Sequence, residues 1–186
     1  MKIIGYNASP RKNGNTAWSV ARILDGARER GANVEVWNAG ELNINPCRGC
    51  LGCVKNDKCG LPDDMQAIYA TLKDADGLVL GMPIYMGQMN AQAKIFMDRL
   101  FAQITPRFSP HFREENAGKK LVLVFTQGNP DENKFKEYCD YTRNMFQLLE
   151  FDVKDTIIIA GTRTESASEK KGLLSSLTAV GAKLVV

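Results

Sequence analysis

Residues 2–17 read KIIGYNASPRKNGNTA, and the order of chemistry along them decides the fold. A short apolar run, KIIGYN, stops at the turn-forming segment ASPRKNGN. Behind it Ala17, Val20, Ala21, Leu24 and Ala27 recur at the three-and-four spacing of an amphipathic helix. An apolar strand feeding a helix through a loop of small polar residues is the opening of a parallel β-α-β unit.

Working outward, the same alternation continues to the end of the chain. Gly31 ends the first helix and NVEVWN (33–38) reads as a second strand. From Pro62, a good first-turn residue, Met65, Ile68, Tyr69 and Leu72 predict a second helix, and GLVLGM (77–82) a third strand that gives way to loop at Pro83. Ile95, Phe96, Leu100, Phe101 and Ile104 outline a third helix, followed by a polar connection over 105–118 and a fourth strand, KLVLVFT (120–126). Phe135, Tyr138, Cys139, Thr142, Phe146 and Leu149 predict a fourth helix. A fifth strand around 156–160 and a closing helix through Leu173, Leu174 and Leu177 complete the pattern. Nearly unbroken apolar strands separated by helices imply a parallel sheet buried on both faces. Right-handed crossovers with one reversal of winding predict a single α/β domain over 1–186, a doubly wound five-stranded sheet in the order 2-1-3-4-5. Ligands of such sheets bind at the carboxyl ends of the strands, beside the switch point between strands 1 and 3. The loops after Asn7, Met82 and Thr126 are predicted to meet there.

Composition sets the outer limits. At 186 residues, 44% hydrophobic and 24% charged, the chain suits one cored domain and excludes disordered and fibrous classes. Lys and Arg total 24 against 21 Asp and Glu, and the resulting +3 is scattered, so no nucleic-acid footprint is present. Apolar runs such as 121–125 are far too short to span a bilayer and no secretory leader is legible, which predicts a cytoplasmic protein without a membrane partner. His111 is the one histidine, which removes paired-histidine metal helices and makes histidine triads a poor expectation.

The first loop reads as an anion cradle. Ser9, Pro10, Arg11, Lys12, Asn13, Gly14, Asn15 and Thr16 lie between strand 1 and helix 1, where free helix N–H groups gather. The spacing matches neither G-x-x-x-x-G-K-[ST] nor G-x-G-x-x-G, so a terminal monophosphate fits better than a pyrophosphate. The competing reading is a plain turn and helix cap. In the second loop Pro83 stiffens the chain and Gly87 permits close approach, leaving Ile84, Tyr85 and Met86 as a wall for a flat heteroaromatic ring. Thr126, Gln127, Gly128 and Asn129 can close the opposite side. The alternative is that Tyr85, Met86 and Met89 pack against helices or a subunit.

Four of the five cysteines, Cys47, Cys50, Cys53 and Cys59, fall within thirteen residues in a loop over 40–62. Three thiols at successive two-residue gaps can wrap three corners of a cubane, with Cys59 returning for the fourth, so a [4Fe–4S] cluster is the natural occupant. The run departs from C-x2-C-x2-C-x3-C-P in its longer last gap and missing proline. An all-cysteine zinc site, unligated thiols and a redox switch remain open. Cys139 lies on the apolar stripe of helix four, where a small buried hydrophobe is expected.

The segments SPRKNGNT and GMPIYMGQMNAQAKIFMDR make the chain resemble the flavodoxin-like NAD(P)H-dependent FMN reductase family, over nearly its whole length. The resemblance implies FMN, with Ser9, Arg11, Asn13, Asn15, Thr16 and Ala17 on the phosphate side and Pro83, Ile84, Tyr85, Met86 and Gly87 along the ring; Thr126 and Gly128 close the site. The C-x2-C-x2-C-x5-C run after strand 2 is similar to that of the iron–sulfur flavoproteins, whose four cysteines hold a [4Fe–4S] cluster. That implies electron transfer between FMN and cluster, with NAD(P)H or reduced ferredoxin as donor, a small molecule or protein as acceptor, and a homodimer or homotetramer. No side chain is expected to act as a nucleophile or other catalytic group, because the flavin carries the chemistry. The rivals are an NAD(P)H-dependent FMN or quinone reductase without a cluster, and a zinc-carrying regulatory or binding module.

Overall fold

The computed structural model describes residues 1–105, 113–114 and 117–186. Its frame is five parallel strands, β1 (Lys2–Asn7), β2 (Asn33–Asn38), β3 (Gly77–Tyr85), β7 (Lys120–Thr126) and β8 (Asp152–Ile159), side by side in the order β2-β1-β3-β7-β8. This is the expected 2-1-3-4-5 doubly wound sheet. A short β4 (Gln88–Met89) folds back antiparallel on the end of β3.

Alternation along the central strands feeds two cores. In β7, Leu121, Leu123 and Phe125 face one side of the sheet, and Val122 and Val124 face the other. The first side is covered by α3 (Met65–Lys73), α4 (Ala91–Arg99) and α5 (Lys136–Leu148), through Met65, Ile68, Leu72, Phe96, Cys139 and Phe146. The second is covered by α1 (Asn15–Glu29) and α6 (Leu173–Leu184), through Val20, Ile23, Leu24 and Leu177. Burial on both faces explains why these strands carry apolar residues at consecutive positions. Glycines let α1 lie close: a Cβ on Gly5 would meet Leu24 Cδ1 at 2.5 Å and Val20 Cγ1 at 2.9 Å.

Four expectations need correction. The third helix stops at Arg99 and tightens into a 3₁₀ turn over Leu100–Ala102, and Ile104 belongs to a short strand, β5 (Ile104–Thr105), paired with β6 (Arg113–Glu114). Strand β3 does not end at Pro83. It runs on to Tyr85, with Pro83 opposite Thr126, and reverses through Met86 and Gly87. The final strand begins at Asp152, earlier than its apolar core, because β8 is an edge strand whose first half is largely exposed.

Pro62 precedes α3 rather than opening it; Asp63 Oδ1 accepts the Met65 N–H at 3.2 Å where the helix starts. A further short helix, α2 (Gly52–Asn56), lies inside the cysteine loop. Of the connection over 105–118, residues 106–112 and 115–116, including Phe108, His111, Phe112 and Glu115, lie outside the described residues. No helix among the described residues is long and apolar enough to cross a membrane.

Candidate functional site

The carboxyl ends of β1, β3, β7 and β8 surround a cleft of about 430 Å³. Its wall is built from Ser9, Arg11, Asn13, Gly14, Asn15 and Thr16 after β1, Pro83 to Tyr85 at the end of β3, Thr126 and Gly128 after β7, and Thr162 after β8. The buried Thr16 and Thr126 hydroxyls meet at 2.7 Å and tie the first turn of α1 to the tip of β7. Ser9 is held by its own loop: its N–H donates to Asn7 Oδ1 at 3.2 Å, and its Oγ accepts the Arg11 N–H at 3.1 Å.

The start of α1 bears on the two readings of this loop, cradle and plain cap. Gly14 stands at the cap position, so no side chain closes the helix, and the first turn carries no acidic residue. The first-turn N–H groups and the positive end of the helix dipole are left to the cleft, a standing site for an anion. Lys12 is drawn off to Glu41 Oε1 at 2.5 Å, which leaves Arg11 as the cation on the cleft wall.

Asn15 lines the cleft and also braces a neighbouring loop. Its Nδ2 donates to the Thr162 carbonyl at 3.3 Å and its Oδ1 accepts the Ala167 N–H at 2.8 Å, so its amide holds the loop after β8 against α1. One Nδ2 hydrogen and the backbone N–H remain for a ligand.

On the ring side, Ile84 pairs with Met89 and Tyr85 with Gln88, so Met86 and Gly87 form a two-residue hairpin tip. Their φ angles are 49° and 84°. Positive values at both positions are those of a type I′ turn, which suits glycine at the second position and strains methionine at the first. Met86 stands fully in solvent and Tyr85 is half exposed, so neither packs under this chain's own helices.

A second cavity, of about 760 Å³, opens where the cysteine loop faces the end of α4. Cys47, Cys50, Cys53 and Cys59 all line it, with Leu61, Met97, Phe101 and Leu149 among the apolar wall residues. Left-handed backbone at Gly49, Leu51 and Asp57 curls the loop. The Gly49 N–H points at Cys47 Sγ, 3.5 Å away. Partial burial pushes the Cys53 thiol pKa up; its own backbone N–H opposes this, and the neighbouring Cys59 and Cys47 raise it further.

Arg99 anchors the floor of this loop. Its side chain and that of Asp63 are each 1% exposed and form a two-pronged ion pair, NH1 to Oδ2 at 2.6 Å and NH2 to Oδ1 at 3.0 Å. NH1 also donates to the Asn45 carbonyl at 2.8 Å. Desolvation works to raise the Asp63 pKa, but hydrogen bonds from Arg99 and Asn45 and the Arg99 charge outweigh it and hold the carboxyl below its ordinary value.

The donor set fits a polynuclear sulfur-ligated group: four thiols on one wall, an N–H directed at a sulfur, and buried positive charge nearby. Among the described residues, no three of His, Cys, Asp and Glu converge closely enough to hold a metal ion; the four thiols share the lining of one cavity. The cleft fits a phosphate-bearing ligand through its uncapped helix and hydroxyls.

A family model for NADPH-dependent FMN reductases matches residues 1–162. The chain belongs to that family. The chain is similar to an iron-sulfur flavoprotein of Methanocaldococcus jannaschii, with 41% identity over 99 residues, 53% of this chain and 51% of that one. It is 37% identical over 99 residues to an iron-sulfur flavoprotein of Methanosarcina thermophila, covering 53% of this chain and 52% of the relative. The chain thus spans about half the length of these curated relatives. An NAD(P)H:quinone oxidoreductase from Methanothermobacter marburgensis shares the fold, with a TM-score of 0.72 at 18% identity over 99% of this chain and 96% of that one.

In this FMN reductase family chain the expected site residues divide cleanly. Ser9, Arg11, Asn13, Asn15, Thr16, Pro83, Ile84, Tyr85, Thr126 and Gly128 share the first cleft, and the four loop cysteines share the second cavity. Ala17, Met86 and Gly87 fall outside the first cleft's lining. Gly14 lay within the expected cradle segment, and sequence reasoning missed Thr162 as a lining residue. Thr162 was findable, since GTRTES directly follows a parallel strand, where such sheets place their ligand loops. Asp63 and Arg99 carried no signal, because an acid and a base 36 residues apart do not announce a buried pair.

Proposed function

We propose that the chain is an FMN-dependent oxidoreductase of the iron–sulfur flavoprotein kind. In this reading FMN occupies the strand-end cleft and Cys47, Cys50, Cys53 and Cys59 hold a [4Fe–4S] cluster. The observation that carries it is the pairing of an uncapped, acid-free helix start lined by hydroxyls with four thiols on the wall of a separate cavity. The names of the relatives support the same pairing of cofactors.

When bound, the flavin accepts electrons in pairs and releases them singly, and the cluster carries single electrons. The protein's own groups bind and orient. First-turn N–H groups of α1, with the Ser9 and Thr16 hydroxyls, donate to the phosphate, and Arg11 adds a charge-assisted bond. Thr126 keeps Thr16 in register from the opposite side. Pro83, Ile84 and Tyr85 form the wall that keeps water from one side of the ring. Thr162, held by Asn15 and by its own bond to the Gln127 carbonyl at 3.0 Å, closes the fourth side.

The donor in this proposal is NAD(P)H or reduced ferredoxin, and the acceptor is a small molecule or a protein. A homodimer or homotetramer in the cytoplasm completes the reading, and exposed Leu51, Tyr85 and Met86 give subunits apolar surface to cover. The rival reading is an NAD(P)H-dependent FMN or quinone reductase with unligated loop thiols, which draws on the exposure of Cys47 and Cys50.

Oxygen-free purification with iron, sulfide, zinc and flavin analysis decides between them. About four irons, four sulfides and one FMN per chain is the expected result. Flavin with neither metal leaves the rival, and a folded chain that quenches no added FMN removes both. Side-by-side stopped-flow reduction by NADH, NADPH and reduced ferredoxin identifies the donor.

A further inference from the structure

We infer that Arg99 is a positioning residue for the sulfur-ligated group, holding a fixed positive charge against Cys59 and raising the group's reduction potential. The inference rests on the cluster reading above and adds to it an electrostatic role for a side chain outside the cysteine motif.

The geometry accounts for Arg99 donor by donor. A guanidinium has five N–H groups. Two bind Asp63, one binds the Asn45 carbonyl, and one from NH2 points at Cys59 Sγ at 3.5 Å. Nε finds no partner among the described residues although it is buried. A neutral thiol is a weak acceptor. A sulfur carrying negative charge, as thiolate or metal ligand, is a far better one, so the NH2 contact strengthens when Cys59 is ionised or ligated.

The surroundings show why the charge stays in place. Tyr69 OH donates to the Arg99 carbonyl at 2.6 Å, and the guanidinium lies 5.9 Å from the Tyr69 ring centre. Asp63 accepts the Asn45 N–H at 2.9 Å and the Met65 N–H at 3.2 Å. The two segments that bracket the cysteine run, at Asn45 and at Asp63, are thereby pinned to the end of α4. A buried ion pair alone adds little net stability, because desolvation offsets its attraction. Its value here is placement: a cation in a site shielded from water acts on a neighbouring sulfur far more strongly than one in solvent. It favours the reduced, more negative state of whatever that sulfur ligates.

The test is redox titration of the anaerobic holoprotein, followed by visible and electron paramagnetic resonance spectra, in wild type and three variants. Arg99→Gln removes the cation and is expected to shift the cluster midpoint to more negative potential. Asp63→Asn leaves the cation uncompensated and is expected to shift it the opposite way. Arg99→Lys keeps the charge and is expected to stay nearest to wild type, while losing iron to a chelator several-fold faster because the fork is gone. Opposite signs for the first two are a signature that a merely structural clamp does not produce.

Should Arg99→Gln fail to fold around an unpaired Asp63, Asp63→Asn still decides the matter by the sign of its shift, with Arg99→Lys as the charge-retaining control. Arg99→Gln and Asp63→Asn proteins that retain iron and FMN with an unchanged midpoint, or that shift in the same direction, overturn the role of Arg99 and leave the cluster reading standing. Wild-type protein that holds flavin but takes up no iron overturns both.

Discussion

The Thr16 hydroxyl meets that of Thr126 at 2.7 Å and sits on the wall of the cleft, so a single side chain serves both packing and the proposed phosphate. Thr16→Ala is expected to cost about 1 kcal/mol of stability through the lost hydrogen bond. Paired with Ser9→Ala, it is expected to weaken FMN retention by more than about tenfold, the loss of charge-assisted bonds to a phosphate. Fluorescence quenching against thermal melting separates the two effects, and equal losses return the segment to a plain structural turn. Cys139 supplies a contrasting case. Burial, helped by the Asp140 charge and opposed by Lys136, pushes its thiol from 9.0 to about 11. The folded state therefore keeps a proton that the unfolded state releases first. Stability is unaffected below the ordinary thiol pKa and falls as pH rises from there toward 11, by up to about 1.4 kcal/mol per unit. Urea midpoints at pH 8, 9 and 10 are expected to fall over the last step, and Cys139→Ala to flatten that fall.

At the scale of elements, α1 and α6 cross with glycine facing backbone on both sides. A Cβ on Gly181 would overlap the Ile23 carbonyl, and one on Gly26 the Thr178 carbonyl. Alanine improves helix propensity by about 1 kcal/mol. Here the obstacle is backbone that no rotamer change can clear, so the helices must separate. Gly181→Ala is expected to destabilise the protein by about 1–3 kcal/mol, read as a lower denaturant midpoint at unchanged slope; a rise in stability would mean the crossing is looser than described. The elements that departed from their sequence patterns did so at ends. Ile104 keeps helical spacing with Leu100, yet a 3₁₀ turn intervenes and places it in a strand. Pro83 ends up inside β3, near its end and opposite Thr126, because the hairpin at Met86 and Gly87 turns that strand back rather than releasing it to a loop.

At the scale of the whole molecule, the two candidate sites stand on different supports. The first cleft draws on four strand ends, and the second cavity on a loop tied to α4 through Asp63 and Arg99. None of the loop cysteines belongs to the buried core, whereas Cys139 does. Cys53→Ala is therefore expected to lose iron while FMN content stays near wild type. Unchanged iron would refute the ligand assignment, and loss of FMN as well would show that the two sites fold as one.

By itself the sequence determined the sheet, its strand order, the strand-end location of the cleft and the grouping of four thiols, because each is written in local periodicity or spacing that needs no distant partner. Only the tertiary structure decided that Asn15 braces the loop after β8, that Thr162 completes the cleft, that Met86 projects into solvent, and that Arg99 with Asp63 underlies Cys59. Those relations join residues far apart in the chain. A buried guanidinium or a shared amide is selected by what the folded chain brings beside it, and periodicity carries no record of that neighbour.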